Sequence, residues 1–530
     1  MKPLILVIIN KAVQQGMTIT TSQHIIVIGS GIGGLTAAAL LAQAGYQVTV
    51  LEAQTYPGGC ASTFTHKGYQ FDSGATVVGG FQEGGPHQLI ADQLGLQWPV
   101  KRYEPAWVTH LPGESIALTA DNADVLRVFP QSQGFWQHQS KIADLGWRLS
   151  SSGLSWPPTS LAEFLQLARV GLTYFPNDLL LLPLAFLTTY QWIRQHGLQQ
   201  DKAFVRFIDA QLLISSQTTS QYANAVYSGT ALDLARQGVY HVQGGVGGLA
   251  ETLVAKIREL GGQVIYRQHV TRIHVENGRT TGVSVKEGRR TQRTEFLPAD
   301  FVIGNLTPWS LDELLGEASP AQLKREVAGR DIGWGAFALH LGIQADKLPK
   351  ELPDHQQIIA DMEGPMGETR SLFMSMSPEW DVGRAPAGHR AVTVTTHTNV
   401  RPWWDLLAHN PDAYQARKQE YAAKMLAQID TIIPGFSGGV DLMLPGSPVT
   451  FQFYTSRHLG QVGGFAQKSL FAARGPRTGI ANLRLVGDSI FPGQSTAGVT
   501  LGAIRVAKDV MRTMPLLKTQ IQRLAKATNK

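Results

Sequence analysis

Cysteine is nearly missing. Cys60 is the one cysteine among 530 residues. It rules out a disulfide within the chain, and any zinc or iron–sulfur site built from cysteines. That scarcity suits a reducing, intracellular setting. Long apolar runs are missing too: no eighteen successive apolar residues occur, which argues against a membrane-spanning helix. Charged residues make up 16% of the chain, and the net charge of +6 is dispersed rather than gathered into a run. Nucleic-acid binding is therefore not expected, whereas mild attraction to an anionic membrane surface is. No metal site and no Ser/His/Asp constellation stands out. The apolar run at residues 4–9 begins like a secretory signal, but Asn10 and Lys11 end it and no small-residue cleavage pattern follows. Residues 1–22 read as an extension, with Met17 as a second candidate start.

Glycine, by contrast, is plentiful, and its placement carries the information. HIIVIG, ending at Gly29, is a short buried strand. Gly29, Gly31, Gly33 and Gly34 follow as G-x-G-x-x-G, then a helix from about Gly33 to Ala44, then a second strand ending before Glu52. This is the strand–turn–helix–strand pattern that holds a dinucleotide. Gly29 permits the tight turn, Gly31 lets a pyrophosphate approach the backbone, and Gly34 allows close helix–strand packing. The helix N-terminus offers N–H groups and a positive dipole end to the phosphates. Glu52 lies where an acid gripping a ribose hydroxyl should sit, and it argues against a 2'-phosphate.

Two further features favour FAD over NAD. Gly58 and Gly59 place a second flexible backbone near the dinucleotide. Far downstream, a strand ending at Gly487-Asp488 leads into FPGQSTAGV, which includes Gly493, Ala497, Gly498 and Val499. Asp488 can hold a ribityl hydroxyl, and the helix beyond can point its N-terminus at a flavin ring.

Between these ends, residues 244–262 carry leucines at helical spacing between glycines. Short strands are expected at 263–269, 272–275 and 281–285, the last two joined by the turn Asn277-Gly278, and further strands at 301–304 and 389–396. The expected class is α/β: a Rossmann-type FAD-binding domain (23–100, 240–310 and 478–512) interleaved with an α+β substrate-binding domain (101–239 and 311–477). A basic amphipathic tail follows at 513–530.

These residues resemble the phytoene-desaturase-like branch of the flavin amine oxidase superfamily, over about 22–512. The stretch VIGSGIGGLTAAALLAQAGYQVTVLEAQTYPGGCASTF resembles the carotenoid desaturases and isomerases. GYQFDSGATVVGGFQEGGPHQL, from Gly68, most resembles the cyanobacterial carotenoid 3',4'-desaturases of myxoxanthophyll synthesis. The resemblance implies an amine oxidase/GDI-like fold with FAD as cofactor. It implies pyrophosphate contacts at Gly29, Gly31 and Gly34, a ribose contact at Glu52, and Gly58 and Gly59 along the dinucleotide. Val270 should meet the adenine through its backbone, Asp488 the ribityl and phosphate groups, and the loop 493–499 the isoalloxazine. Gln494 and Ser495 stand where many relatives carry glycine or small residues. The implied reaction is desaturation of a monocyclic carotene, with quinone or oxygen as electron acceptor and peripheral contact with a membrane. Alternatives are a prolycopene-type cis–trans isomerase, an amine oxidase, and a flavin-free escort protein of the GDI type.

No catalytic residue is assigned, because a polyene delocalises the developing positive charge and needs no strong base. His66, His87 and His241 are candidate bases but read better as structural histidines. Cys60 should lie near the phosphate half of the cofactor, which disfavours covalent flavin attachment there. Residues 179–187 (LLLLPLAFL) read either as core or as an apolar face meeting a membrane, with Pro183 kinking any helix. Trp403, Trp404 and Phe453 read as core or as the lining of a polyene tunnel.

Overall fold

Buried aliphatic strands need cover on both faces, and a parallel sheet flanked by helices supplies it. The computed structural model describes residues 23–153 and 155–516; the extension 1–22 and all but the start of the tail lie outside the described residues. Five strands form the parallel sheet: β1 (His24–Ile28), β2 (Gln47–Leu51), β3 (Gln263–Ile265), β4 (Phe301–Gly304) and β5 (Leu483–Leu485). Their order is β5-β4-β1-β2-β3. Helix α1 (Ile32–Ala44) is apolar on every side and buried from Ile32 to Ala42, as a helix enclosed by protein must be. It packs against the helix Gly248–Glu259 and against α2 (Thr496–Thr513). Each fully buried side chain here, such as Leu35 or Val50, contributes about 1.5–3 kcal/mol. Gly45 ends α1 at φ 99, and its N–H bonds the Ala42 carbonyl.

The expected strand 263–269 is two strands. Ile265 closes the parallel sheet, Arg267 turns the chain in a left-handed conformation (φ 61), and Gln268–Glu276 opens a separate three-stranded antiparallel sheet. Glu52 holds this corner from both sides: its N–H bonds the Ile265 carbonyl and its carbonyl accepts from Gln268. The hairpin at Asn277-Gly278 is as expected, with both residues at positive φ (49 and 72).

A seven-stranded sheet forms the second layer. Its order is Val440–Gly446, Trp334–Gln344, His389–Asn399, Ser371–Met376, His355–Ile359, Trp107–Leu111, Glu114–Leu118. Side chains alternate between its faces. Phe337, Leu339 and Leu341 join a core with Trp403, Met425 and Ile429 of the covering helices. Ala336, opposite His397 in the ladder, points the other way, into a large cavity. The helices of 123–237 supply part of its wall and hold their own core around Phe135, Trp192, Phe204 and Phe207.

Candidate cofactor and substrate site

The carboxyl ends of β1, β2, β4 and β5 converge, where open parallel sheets bind ligands. The two glycine turns meet there: Gly31 and Gly58 form a backbone bridge, and the Gly58 N–H bonds the Ser30 carbonyl at 2.9 Å. Gly58 lies at φ 114, and a Cβ on it would stand 2.6 Å from the Ala61 carbonyl oxygen. Gly34 is glycine for closeness alone, since a Cβ there would lie 2.5 Å from the Gly29 carbonyl oxygen. Gly31, the N-cap of α1, gives no side-chain cap to the helix, so the first N–H groups are free to meet an anion.

Asn305, just beyond β4, was missed in the sequence. Its carboxamide lies against the first glycine turn and Gly487: a Cβ on Gly31 would collide with Nδ2, and one on Gly487 would meet Oδ1 at 2.8 Å. Gly31 therefore makes room for Asn305 as well as for a phosphate. The signal available was its position directly after a buried parallel strand.

A cavity of about 810 Å³ opens from these turns, near the upper end for small-molecule and cofactor sites. Gly31, Gly33, Gly58, Gly59, Gly487, Asp488, Ala497, Gly498 and Val499 line it, with Asn305, Cys60 and Arg457. Gly29, Gly34 and Gly493 are not in its wall; the first two brace the turn from behind. Glu52, also outside the wall, is 9% exposed and bonded to Ser30. Val270 is buried in the three-stranded sheet opposite Val285, away from the cavity lining.

The stretch 493–499, read as a loop, is half helix. Ser495 caps α2 by accepting the Gly498 N–H at 3.0 Å, so the helix begins inside this stretch, at Thr496. A second helix N-terminus thus faces the cavity.

The candidate bases are not in the wall. His87 is fully buried, bonds Thr496 Oγ1 at 3.1 Å, and is pushed down to about 3 by burial. His241 pairs with Asp354 at 3.0 Å, and His66 lies in the hairpin Thr63–His66/Tyr69–Asp72. The imidazole that does line the cavity is His397, kept neutral by burial with a pKa of about 4. Cys60 is in the wall, where burial pushes its thiol up, against the pull of Arg457.

Trp403, Trp404 and Phe453 line no tunnel. Trp403 is core, stacked on Phe337 at 5.4 Å; Trp404 bonds the Leu459 carbonyl; Phe453 is exposed under Arg289. The aromatics in the wall include Trp107, Trp147, Trp156, Tyr227, Phe373 and Phe451. Leu181, Leu182 and Phe471 also line the cavity, and Leu182 and Phe471 are more than half exposed. Residues 179–187 split into a short 3₁₀ turn and the helix Leu181–Ala185, leaving Leu184 buried and Leu182 and Phe186 exposed.

Paired glycine turns, an uncapped helix N-terminus and an acid closing the last strand together define a dinucleotide-binding flavoprotein, and the residues present fit FAD. The chain belongs to the flavin containing amine oxidoreductase family, whose model matches residues 32–511. It is an FAD-dependent oxidoreductase. It is 29% identical over 515 residues to the chloroplastic prolycopene isomerase of Arabidopsis thaliana, covering 92% of this chain and 82% of that one. It is 24% identical over 512 residues to a lycopene-forming phytoene desaturase of a Paracoccus species, covering 92% and 96%. Among solved structures, an oxidoreductase from Methanosarcina mazei has the same fold, with a TM-score of 0.62 at 19% identity over 92% of this chain and 100% of that one.

Proposed function

We propose that the chain acts on the polyene of a carotenoid, introducing the 3',4' double bond into a monocyclic carotene. The observation that carries this reading is the cavity: its wall runs from the cofactor turns to exposed apolar side chains such as Leu182 and Phe471. Bound FAD supplies a hydride acceptor; the protein supplies alignment and exclusion of water. The wall is mostly apolar, and neutral His397 adds no charge beside a polyene on which positive charge develops. The resemblance at Gly68 and beyond supports the 3',4' position.

A second reading is cis–trans isomerisation of a polyene without net oxidation. The higher identity to a prolycopene isomerase, 29% against 24% for the desaturase, favours it.

Exposed apolar side chains support peripheral membrane contact, and the single cysteine suits an intracellular setting. Leu161, Leu165, Leu172, Phe175, Leu182 and Phe186 are each more than half exposed. Leu167, in the helix Leu161–Tyr174, and Leu181, in the helix Leu181–Ala185, line the cavity. Such a face loses water-exposed apolar area by lying in a lipid interface, and it would take in a lipid-dissolved substrate directly.

The deciding experiment incubates the holoenzyme with detergent-dispersed monocyclic carotenes and a quinone, or oxygen, as acceptor. Loss of two hydrogens in product mass, with a red-shifted spectrum, supports desaturation. Unchanged mass with altered retention supports isomerisation. Unaltered carotene in every case overturns both.

A further inference from the structure

Charge is scarce in the cavity wall. Among the described residues that line it, Arg457 is the one lysine or arginine and Asp488 the one carboxylate. FAD adds a pyrophosphate dianion to this same space. The uncapped N-terminus of α1 offers only a partial positive charge. A carboxylate and two phosphate charges held together away from water would repel strongly without a full cation between them.

Arg457 is built to be that cation. It follows the helix Pro448–Thr455, on the substrate side of the chain, and its head reaches the cofactor turns. Nη1 pairs with Asp488 Oδ2 at 3.0 Å. Nε donates to the Gln461 carbonyl at 2.7 Å, and Nη2 donates to the Gly463 carbonyl. Two backbone carbonyls of its own loop therefore fix the plane of the guanidinium. The loop is pressed onto the closing motif, since a Cβ on Gly464 would stand 1.9 Å from the Asp488 carbonyl oxygen. The charge of Arg457 also reaches Cys60, which directly follows Gly58 and Gly59. The guanidinium thus pairs with Asp488 and shares the cavity wall with the second glycine turn.

We propose that Arg457 is the counter-charge of the FAD pyrophosphate, shared with Asp488, so that a residue from the substrate-side segment completes the anion site of the dinucleotide domain. The planar fork suits two anionic neighbours at once, which the single ammonium of lysine does less well. The inference rests on the cofactor and not on the identity of the substrate.

The test uses full-length holoenzyme. FAD release on dilution is followed by flavin fluorescence, with ADP and riboflavin as separate competitors for rebinding. ADP carries the pyrophosphate without the flavin; riboflavin carries the ring without phosphate. Arg457→Met is expected to weaken FAD and ADP by about ten- to a hundredfold, with riboflavin unchanged, and Arg457→Lys to fall between. The loss should shrink as salt is raised. Asp488→Asn supplies an independent sign: removing a negative charge beside the phosphates is expected to tighten ADP severalfold, and it does not depend on the arginine variants folding. FAD and ADP affinities within about twofold of wild type in a folded Arg457→Met protein overturn the proposal. So does loss confined to riboflavin with a shifted flavin midpoint potential, which would put Arg457 at the ring. Unchanged or weakened ADP binding in Asp488→Asn overturns it as well.

Discussion

One carboxylate oxygen of Glu52 accepts two hydrogen bonds from Ser30, from its N–H at 2.8 Å and from its hydroxyl at 2.6 Å. The other accepts the Gln54 N–H at 2.8 Å. An acid read from spacing as a ribose ligand is therefore also the brace of the first glycine turn. Its removal should loosen the turn whether or not a ribose is present.

Glu52→Ala leaves two buried donors on Ser30 without their acceptor. The expected cost is about 1–3 kcal/mol in stability, together with loss of FAD. Ser30→Ala, which removes only the hydroxyl, should cost less. Thermal unfolding and bound flavin per chain check both; an unchanged melting temperature in Glu52→Ala would contradict the bracing role.

Gly34→Ala forces a methyl to within 2.5 Å of the Gly29 carbonyl oxygen. The strain is expected to cost about 1–3 kcal/mol and to displace the turn, so that the protein is purified with little flavin. Gly134→Ala is the control, because a Cβ there meets nothing nearer than His196 Nδ1 at 3.7 Å. Wild-type flavin content in Gly34→Ala would remove the close-packing argument.

The exposed apolar face predicts a split between binding and turnover. Leu172→Glu with Phe186→Glu should reduce sedimentation with anionic liposomes, while FAD content and activity on detergent-dispersed substrate stay unchanged. Equal sedimentation of variant and wild type would place membrane contact elsewhere or nowhere.

His87 gives a pH dependence. Burial lowers its pKa from 6.5 to about 3, so below pH 6.5 the unfolded chain takes up the proton first. Its contribution is complete above pH 6.5 and is lost as pH falls from there toward 3. At pH 5 the loss is about 2 kcal/mol. Urea unfolding at pH 7.5 and pH 5 should show a smaller drop for His87→Gln than for wild type. Equal drops would mean that His87 is not held neutral.

The β1–α1–β2 unit was legible because buried strands, helix period and glycine spacing all agree within a short stretch. The Asn277-Gly278 hairpin was legible for the same local reason. The seven-stranded sheet was largely hidden. Several of its buried strand residues are polar and satisfy one another across strands: His110 with Gln356 at 2.5 Å, Thr109 with Gln357 at 3.1 Å, and His355 with Ser375 at 2.8 Å. Such pairs blur the apolar alternation that marks a strand. Asn305 and Arg457 were hidden for another reason. Each reaches the site through contacts between segments distant in the chain, and neither stands in a local motif. Trp403, read as core or tunnel lining, is core, and the choice was not legible because aromatic character does not say which face of a layer a side chain joins.

The parallel sheet takes its strands from residues 24–51, 263–304 and 483–485. During synthesis the first glycine turn leaves the ribosome long before β5, Gly487 and Asp488 exist. A nascent chain therefore carries the opening half of a nucleotide site for most of its translation, with its middle strand β1 lacking the neighbour β4 until residue 304 has emerged. The flavin site is therefore complete only once the last strand and the Gly487-Asp488 turn have been made.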